Sequence, residues 1–183
     1  MEKNKHALVI GGTGMLAGVT RWLAESSYIV SVIGRNPVKH EKLKQFVTDS
    51  GRVNSLVVDY EDLIDLSEKL TASIVKYGPI SLVVCWCQSD KAIATVSRLV
   101  AEQVDGWAMH HVKGSRKYFE KEHLNLPDNC KYHDLYLGFV ILGDTSRWLT
   151  DEEISTGVVR SIRENTKSIV VGTLQPWEKR PGY

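Results

Sequence analysis

Long apolar runs are missing from this sequence. No stretch reaches the roughly 18–20 consecutive apolar residues that a membrane-spanning helix needs. The apolar run after the basic N-terminal residues of MEKNKHALVI ends in glycines, too short for the core of a secretory signal. An excess of charge is missing too. Lys and Arg number 23 against 22 Asp and Glu, a net charge of +1, so there is no electrostatic case for nucleic acid or an anionic membrane as partner. Cysteine is scarce and odd in number: Cys85, Cys87 and Cys130. That usage excludes a disulfide framework and points to reduced, buried thiols. Cys85 and Cys87 lie two apart on an expected strand and so share a face, but no further His or Cys stands at ligand-like spacing, so no metal is expected. A nucleophile elbow of the form G-x-S-x-G is also lacking; Gly114-Ser115-Arg116 does not supply one. These absences leave a cytoplasmic protein whose partner is a small molecule.

The 183 residues suit one domain spanning residues 1–183. Short runs rich in Val and Ile alternate with segments of helical period. Strands are expected at about 6–11, 28–34, 53–58, 80–86, 107–113, 132–142 and 168–173, and helices at about 14–26, 37–50, 61–77, 90–104 and 150–165. The first four strands are separated by helices long enough for crossovers, so a parallel sheet is the natural product. LVVCW and GFVIL are nearly all apolar, as strands covered on both faces should be. The expected fold class is α/β: a doubly wound, mostly parallel, Rossmann-like sheet in a single domain. Pro37 after Asn36 opens the second helix, Gly78-Pro79 closes the third, and Thr150 with Glu153 reads as a capping box. Residues 113–131 are the least regular part and read as a long excursion between the fifth and sixth strands.

Gly12-Thr13-Gly14-Met15-Leu16-Ala17 matches G-x-G-x-x-A, and Gly11, Gly14 and Ala17 also fit G-x-x-G-x-x-A. Between a strand and a helix, small residues at this spacing permit a tight turn, a close backbone approach to a pyrophosphate, and close helix packing. Amides at the helix start then bind the phosphates. Arg35 lies 21 positions after Gly14, where an NAD-preferring site would carry an acid; no acid is adjacent in sequence. Its planar cation suits a 2′-phosphate, and Lys39 offers a second cation one helical turn on, so NADP(H) is favoured over NAD(H). Two readings stand for Asp59: acceptor for an adenine amino group, or N-cap of the next helix.

These residues resemble the short-chain dehydrogenase/reductase superfamily: GGTGML at the first turn, GRN after the second strand, an Asp after the third, ISLVVCWCQS where the family has Asn-Asn-Ala-Gly, and GSRKY after the fifth strand. The resemblance implies that Gly11, Gly12, Thr13, Gly14, Met15 and Leu16 line the pyrophosphate. It places Arg35 at the 2′-phosphate with Asn36 beside it, Asp59 and Tyr60 near adenine, and Cys87 and Gln88 at the nicotinamide-side ribose. Ser115 falls where the family has its catalytic Ser. The resemblance also implies self-association as a homo-oligomer.

The chain departs from the family at the proton donor. The seven tyrosines include none with a Lys four positions later. The nearest case, Tyr118 with Lys121, has a spacing of three, which a helix would still place side by side. His110 and His111 are further acid–base candidates. As successive strand residues they face opposite sides, so one at most can serve a given site. Two functions remain open: an NADP-dependent oxidoreductase with a non-standard proton donor, or a dinucleotide-binding, redox-sensing module without catalysis.

Overall fold

The computed structural model describes residues 5–120 and 122–182. Its first half follows the alternation read from the sequence: β1 (Lys5–Ile10), α1 (Ala17–Glu25), β2 (Tyr28–Gly34), α2 (Pro37–Phe46), β3 (Val53–Val57), α3 (Leu63–Tyr77), β4 (Ile80–Cys85) and α4 (Asp90–Ala101). Then come β5 (Trp107–Gly114), β6 (Cys130–Leu137), β7 (Phe139–Leu142), β8 (Thr145–Trp148), α5 (Asp151–Glu164) and β9 (Ser168–Val171). Seven strands form a wholly parallel sheet in the order β3-β2-β1-β4-β5-β6-β9. The doubly wound α/β class is thus what the chain adopts. The order reverses between β1 and β4, which opens a crevice at the carboxyl ends of those strands.

The central strand shows why the sheet needs helices on both faces. Ala7, Leu8, Val9 and Ile10 are all fully buried. Ala7 and Val9 point into one core with Leu23 of α1 and Val158 of α5. Leu8 and Ile10 point into the other, with Leu70 of α3 and Val96 of α4. Helix ends are set locally. Asn36 Oδ1 accepts the amides of Val38 (2.9 Å) and Lys39 (3.2 Å), with Pro37 in the first turn. Thr150 and Glu153 form the expected reciprocal box. Gly78 stops α3 at φ +91°. The N-cap of α3 is Asp62, not Asp59, so the capping alternative for Asp59 is corrected. Several helices are shorter than their periodicity suggested, notably α2, which stops at Phe46.

The second half departs from the expectation. The apolar run 132–142 is two strands, because Gly138 lies where a Cβ would collide with the backbone of Thr173. There the chain bends, and Phe139 exchanges two 2.9 Å backbone hydrogen bonds with Thr173. GFVIL is therefore not a strand covered on both faces. β7 pairs antiparallel with β8 in a separate hairpin, and Leu142 at its tip is exposed. The 113–131 excursion starts with one 3-10 turn, Ser115–Phe119. It contains no α-helix among its described residues, so β5 joins β6 without the usual helical cover.

Candidate functional site

Each glycine of the first loop has its own physical reason. Gly11 adopts φ +80°, which favours glycine. A Cβ on Gly12 would sit 2.8 Å from Thr20 Oγ1 and Val9 Cγ1, so this glycine lets α1 pack on the sheet. Gly14 faces open space, with nothing within 4 Å of a Cβ there. Gly18, not Ala17, makes the tightest helix contact: a Cβ on it would lie 2.7 Å from Ser155 Oγ of α5. At the start of α1, Leu16 is the N-cap and no side chain caps the amides of the first turn. A glycine loop running into such a helix N-terminus is suited to phosphate. Leu16 presents only its backbone to this loop, since its side chain is fully buried in the core beneath α1.

Beside the loop lies a cleft of about 820 Å³, bounded by Gly14, Arg35, Asn36, Lys39, Tyr60 and Trp86 among others. Arg35 and Lys39 both bound it. The sequence did not show what the β2–β3 pairing does: it brings Asp59 to 3.6 Å from Arg35, with both side chains largely exposed. Asp59 does not bound the cleft; its Oδ1 accepts the Glu61 amide at 3.1 Å. The Tyr60 hydroxyl bonds the backbone of Gln88, and burial raises its pKa.

Trp86, one residue beyond β4, is the site residue that sequence reasoning missed. Its amide donates to Ile10 O (3.1 Å), and a Cβ on Gly11 would meet its Cδ1 at 3.2 Å. The available signal was a bulky aromatic at a strand's carboxyl end opposite a glycine loop. Trp86 bounds this 820 Å³ cleft and also a second one of about 390 Å³, which Gln88, Ser115 and Trp148 help to form. Ser115 thus reaches the cleft, at the start of the 3-10 turn. Cys87 lies behind it, buried. The Cys85 thiol donates to the Cys87 sulfur and, with the Ser89 amide at 3.4 Å, holds the Cys87 thiol below its usual range, against the effect of burial.

The two histidines lie outside the Ser115 cleft. His110 and His111 do face opposite sides. His110 lies under α5, bonded to Ser161 Oγ (3.1 Å) and stacked on His133 at 4.3 Å. Burial, with the neighbouring His133, brings its pKa down to about 3. His111 is bonded to the Tyr132 hydroxyl (2.8 Å), and burial with Lys113 nearby brings it down to about 4. Both are neutral at pH 7, and His111 is also hydrogen-bonded to the backbone of Cys87. Tyr118 is exposed, its ring 5.1 Å from that of Tyr136; Lys121 lies outside the described residues.

A third cleft, about 520 Å³, opens on the face that lacks a helix. Lys113 lies buried there, with its ammonium 2.5 Å from Asp134 Oδ1, 3.2 Å from the Tyr136 hydroxyl and 3.4 Å from Glu122. Burial alone would lower the Lys113 pKa, but these partners outweigh it and the net shift is upward.

No family model matches this chain, and no curated protein does. Solved structures do match in fold. A short-chain dehydrogenase/reductase from Serratia marcescens superposes with a TM-score of 0.71 at 16% identity, covering 93% of this chain and 98% of that one. NAD+-bound xylitol dehydrogenase gives 0.72 at 12% identity, with coverage of 93% and 99%. An F189W actinorhodin polyketide ketoreductase with NADPH gives 0.71 at 13%, with coverage of 95% and 98%. The chain has the fold of short-chain dehydrogenase/reductases.

Proposed function

We propose that this protein binds NADP(H) across the crevice between β1 and β4 and acts as an oxidoreductase on a small carbonyl compound. The observation that carries this reading is the pair of clefts that meet at one shared residue. A phosphate-suited loop and a pair of cations bound one, Ser115 bounds the other, and Trp86 is common to both. The residues fit the cofactor. Gly14 leaves its approach open, the N-terminus of α1 carries no side-chain cap, and Arg35 and Lys39 outnumber the one carboxylate paired with Arg35.

In this reading Arg35 and Lys39 hold the 2′-phosphate, Tyr60 flanks the adenine end, and the loop amides hold the pyrophosphate. Cys87 and Gln88 back the nicotinamide-side ribose. The bound dinucleotide supplies or accepts the hydride. Ser115 donates a hydrogen bond to the substrate oxygen. The fold neighbours printed with NAD+ or NADPH support a nicotinamide dinucleotide in general. The preference for the phosphorylated form rests on Arg35 and Lys39. A cytoplasmic location and a homo-oligomeric state belong to the same reading; among the described residues no helix is long and apolar enough to cross a membrane.

One observation favours a second reading, a dinucleotide-binding module without turnover. No tyrosine bounds the Ser115 cleft among the described residues, so the site lacks the usual proton donor of the family it resembles. Calorimetric titration with NADPH and NADH, followed by turnover of aldehydes, ketones and quinones, decides between them. NADPH binding at least about tenfold tighter than NADH is expected, with Arg35→Ala removing most of the difference, as loss of a hydrogen bond to a charged group should. Equal binding of the two cofactors would remove the NADP preference. Tight binding without turnover would leave the module.

A further inference from the structure

We infer that the 390 Å³ cleft beside Ser115 selects a neutral, planar, aromatic carbonyl compound, with Trp148 as the selecting wall. The carbonyl rests on the oxidoreductase reading above; the ring rests on the cleft alone. Trp86 and Trp148 both bound the cleft, with Leu137, Leu149 and Ile154 completing its apolar walls. Ser115 and Gln88 are its neutral polar groups. Apolar walls with a few placed polar groups are how small-molecule sites obtain affinity and orientation, and this volume is near the lower end of the ~300–1,000 Å³ range. It suits one ring bearing a carbonyl.

The charge at the rim is already used. The Lys117 ammonium lies 2.8 Å from both Glu120 and Glu122, which raise its pKa. Arg116 has an interaction partner of its own. An anion drawn to Lys117 would have to displace these two carboxylates.

The backbone at Trp148 is tied down, while its indole is partly exposed. Trp148 ends β8, and the residue before it, Arg147, makes two parallel bonds of 2.9 Å to the Glu153 carboxylate. Arg147 also donates to the Trp148 carbonyl at 3.1 Å. The same carboxylate accepts the Thr150 amide at 2.9 Å in the capping box. Glu153 therefore ties the hairpin to the first turn of α5. Bidentate pairing fixes direction as well as distance, so Arg147 acts as a positioning residue for the indole.

The test is calorimetric titration of benzaldehyde against cyclohexanecarbaldehyde, its non-planar saturated counterpart, with and without saturating NADP+. Benzaldehyde should bind about two- to tenfold tighter, the range that aromatic contact supplies beyond area. Trp148→Ala should erase the preference, Trp148→Phe should keep it, and Arg147→Gln should weaken it with Trp148 still present. Should Trp148→Ala fail to fold, Trp148→Leu, which keeps an apolar wall, decides instead. Equal binding of the two aldehydes, or a folded Trp148→Ala protein that still prefers benzaldehyde, would overturn the inference. So would displacement of benzaldehyde by NADP+, which would make the cleft the cofactor's own. Absence of any NADP+ heat would sink the nucleotide reading separately, because the aldehyde preference is read in the same protein without it.

Discussion

The two halves of the sheet solve the same burial problem differently. In β3-β2-β1-β4 each crossover is a helix, both faces are dry, and Ala7 to Ile10 are wholly buried. In β5-β6-β9 one crossover has lost its helix. Its face carries Tyr132, Asp134 and Tyr136 on alternate residues of β6, with Lys113 from β5 buried among them. A sheet face without an apolar lid can be finished by a satisfied polar network, but such a network is costly when one member is removed. The regular half carries the cleft beside the glycine loop; the irregular half shapes the Ser115 cleft and holds the ionic cluster.

The sharpest way to break this contrast is acid. The folded-state pKa values of His110 (about 3) and His111 (about 4) lie below their ordinary 6.5. Between those values the unfolded chain binds the protons and the folded protein does not. Stability is therefore full above pH 6.5 and falls as pH drops toward 4, by about 1.4 kcal/mol per unit for each histidine. Urea titrations from pH 8 to pH 4 measure this slope, and a flat profile would contradict the burial of both rings. Next in size is Lys113→Met. It strands Asp134 beside a nearly buried site and should cost about 3 kcal/mol, whereas Lys113→Met with Asp134→Leu should recover more than half. A double variant as unstable as the single one would mean that the cluster contributes through packing alone. In the regular half, Gly12→Ala forces a methyl against Thr20 and Val9. A loss of about 1–3 kcal/mol in denaturant unfolding is expected. Smallest is Arg35→Ala: its pair with Asp59 is exposed, so stability should change by less than about 1 kcal/mol. A larger change would give Arg35 a structural role in place of a ligand-binding one.

Period, caps and glycine spacing determined by themselves the α/β class, the first four strands and their helices, the Asn36-Pro37 and Thr150–Glu153 starts, and the loop at Gly11–Gly14. These are local: each follows from neighbours within one helical turn or one strand, so a one-dimensional pattern contains them. Tertiary structure alone decided the rest. Gly138 ended a strand because Thr173, far along the chain, occupies the space of its Cβ. Asp59 met Arg35 because β3 pairs with β2. Trp86 became the wall between two clefts because β4 lies beside β1. His110 and His111 lie outside the Ser115 cleft because β5 turns them to opposite faces of the sheet, where burial keeps them neutral. Such contacts join residues distant in sequence, and their energies depend on burial that no local pattern records.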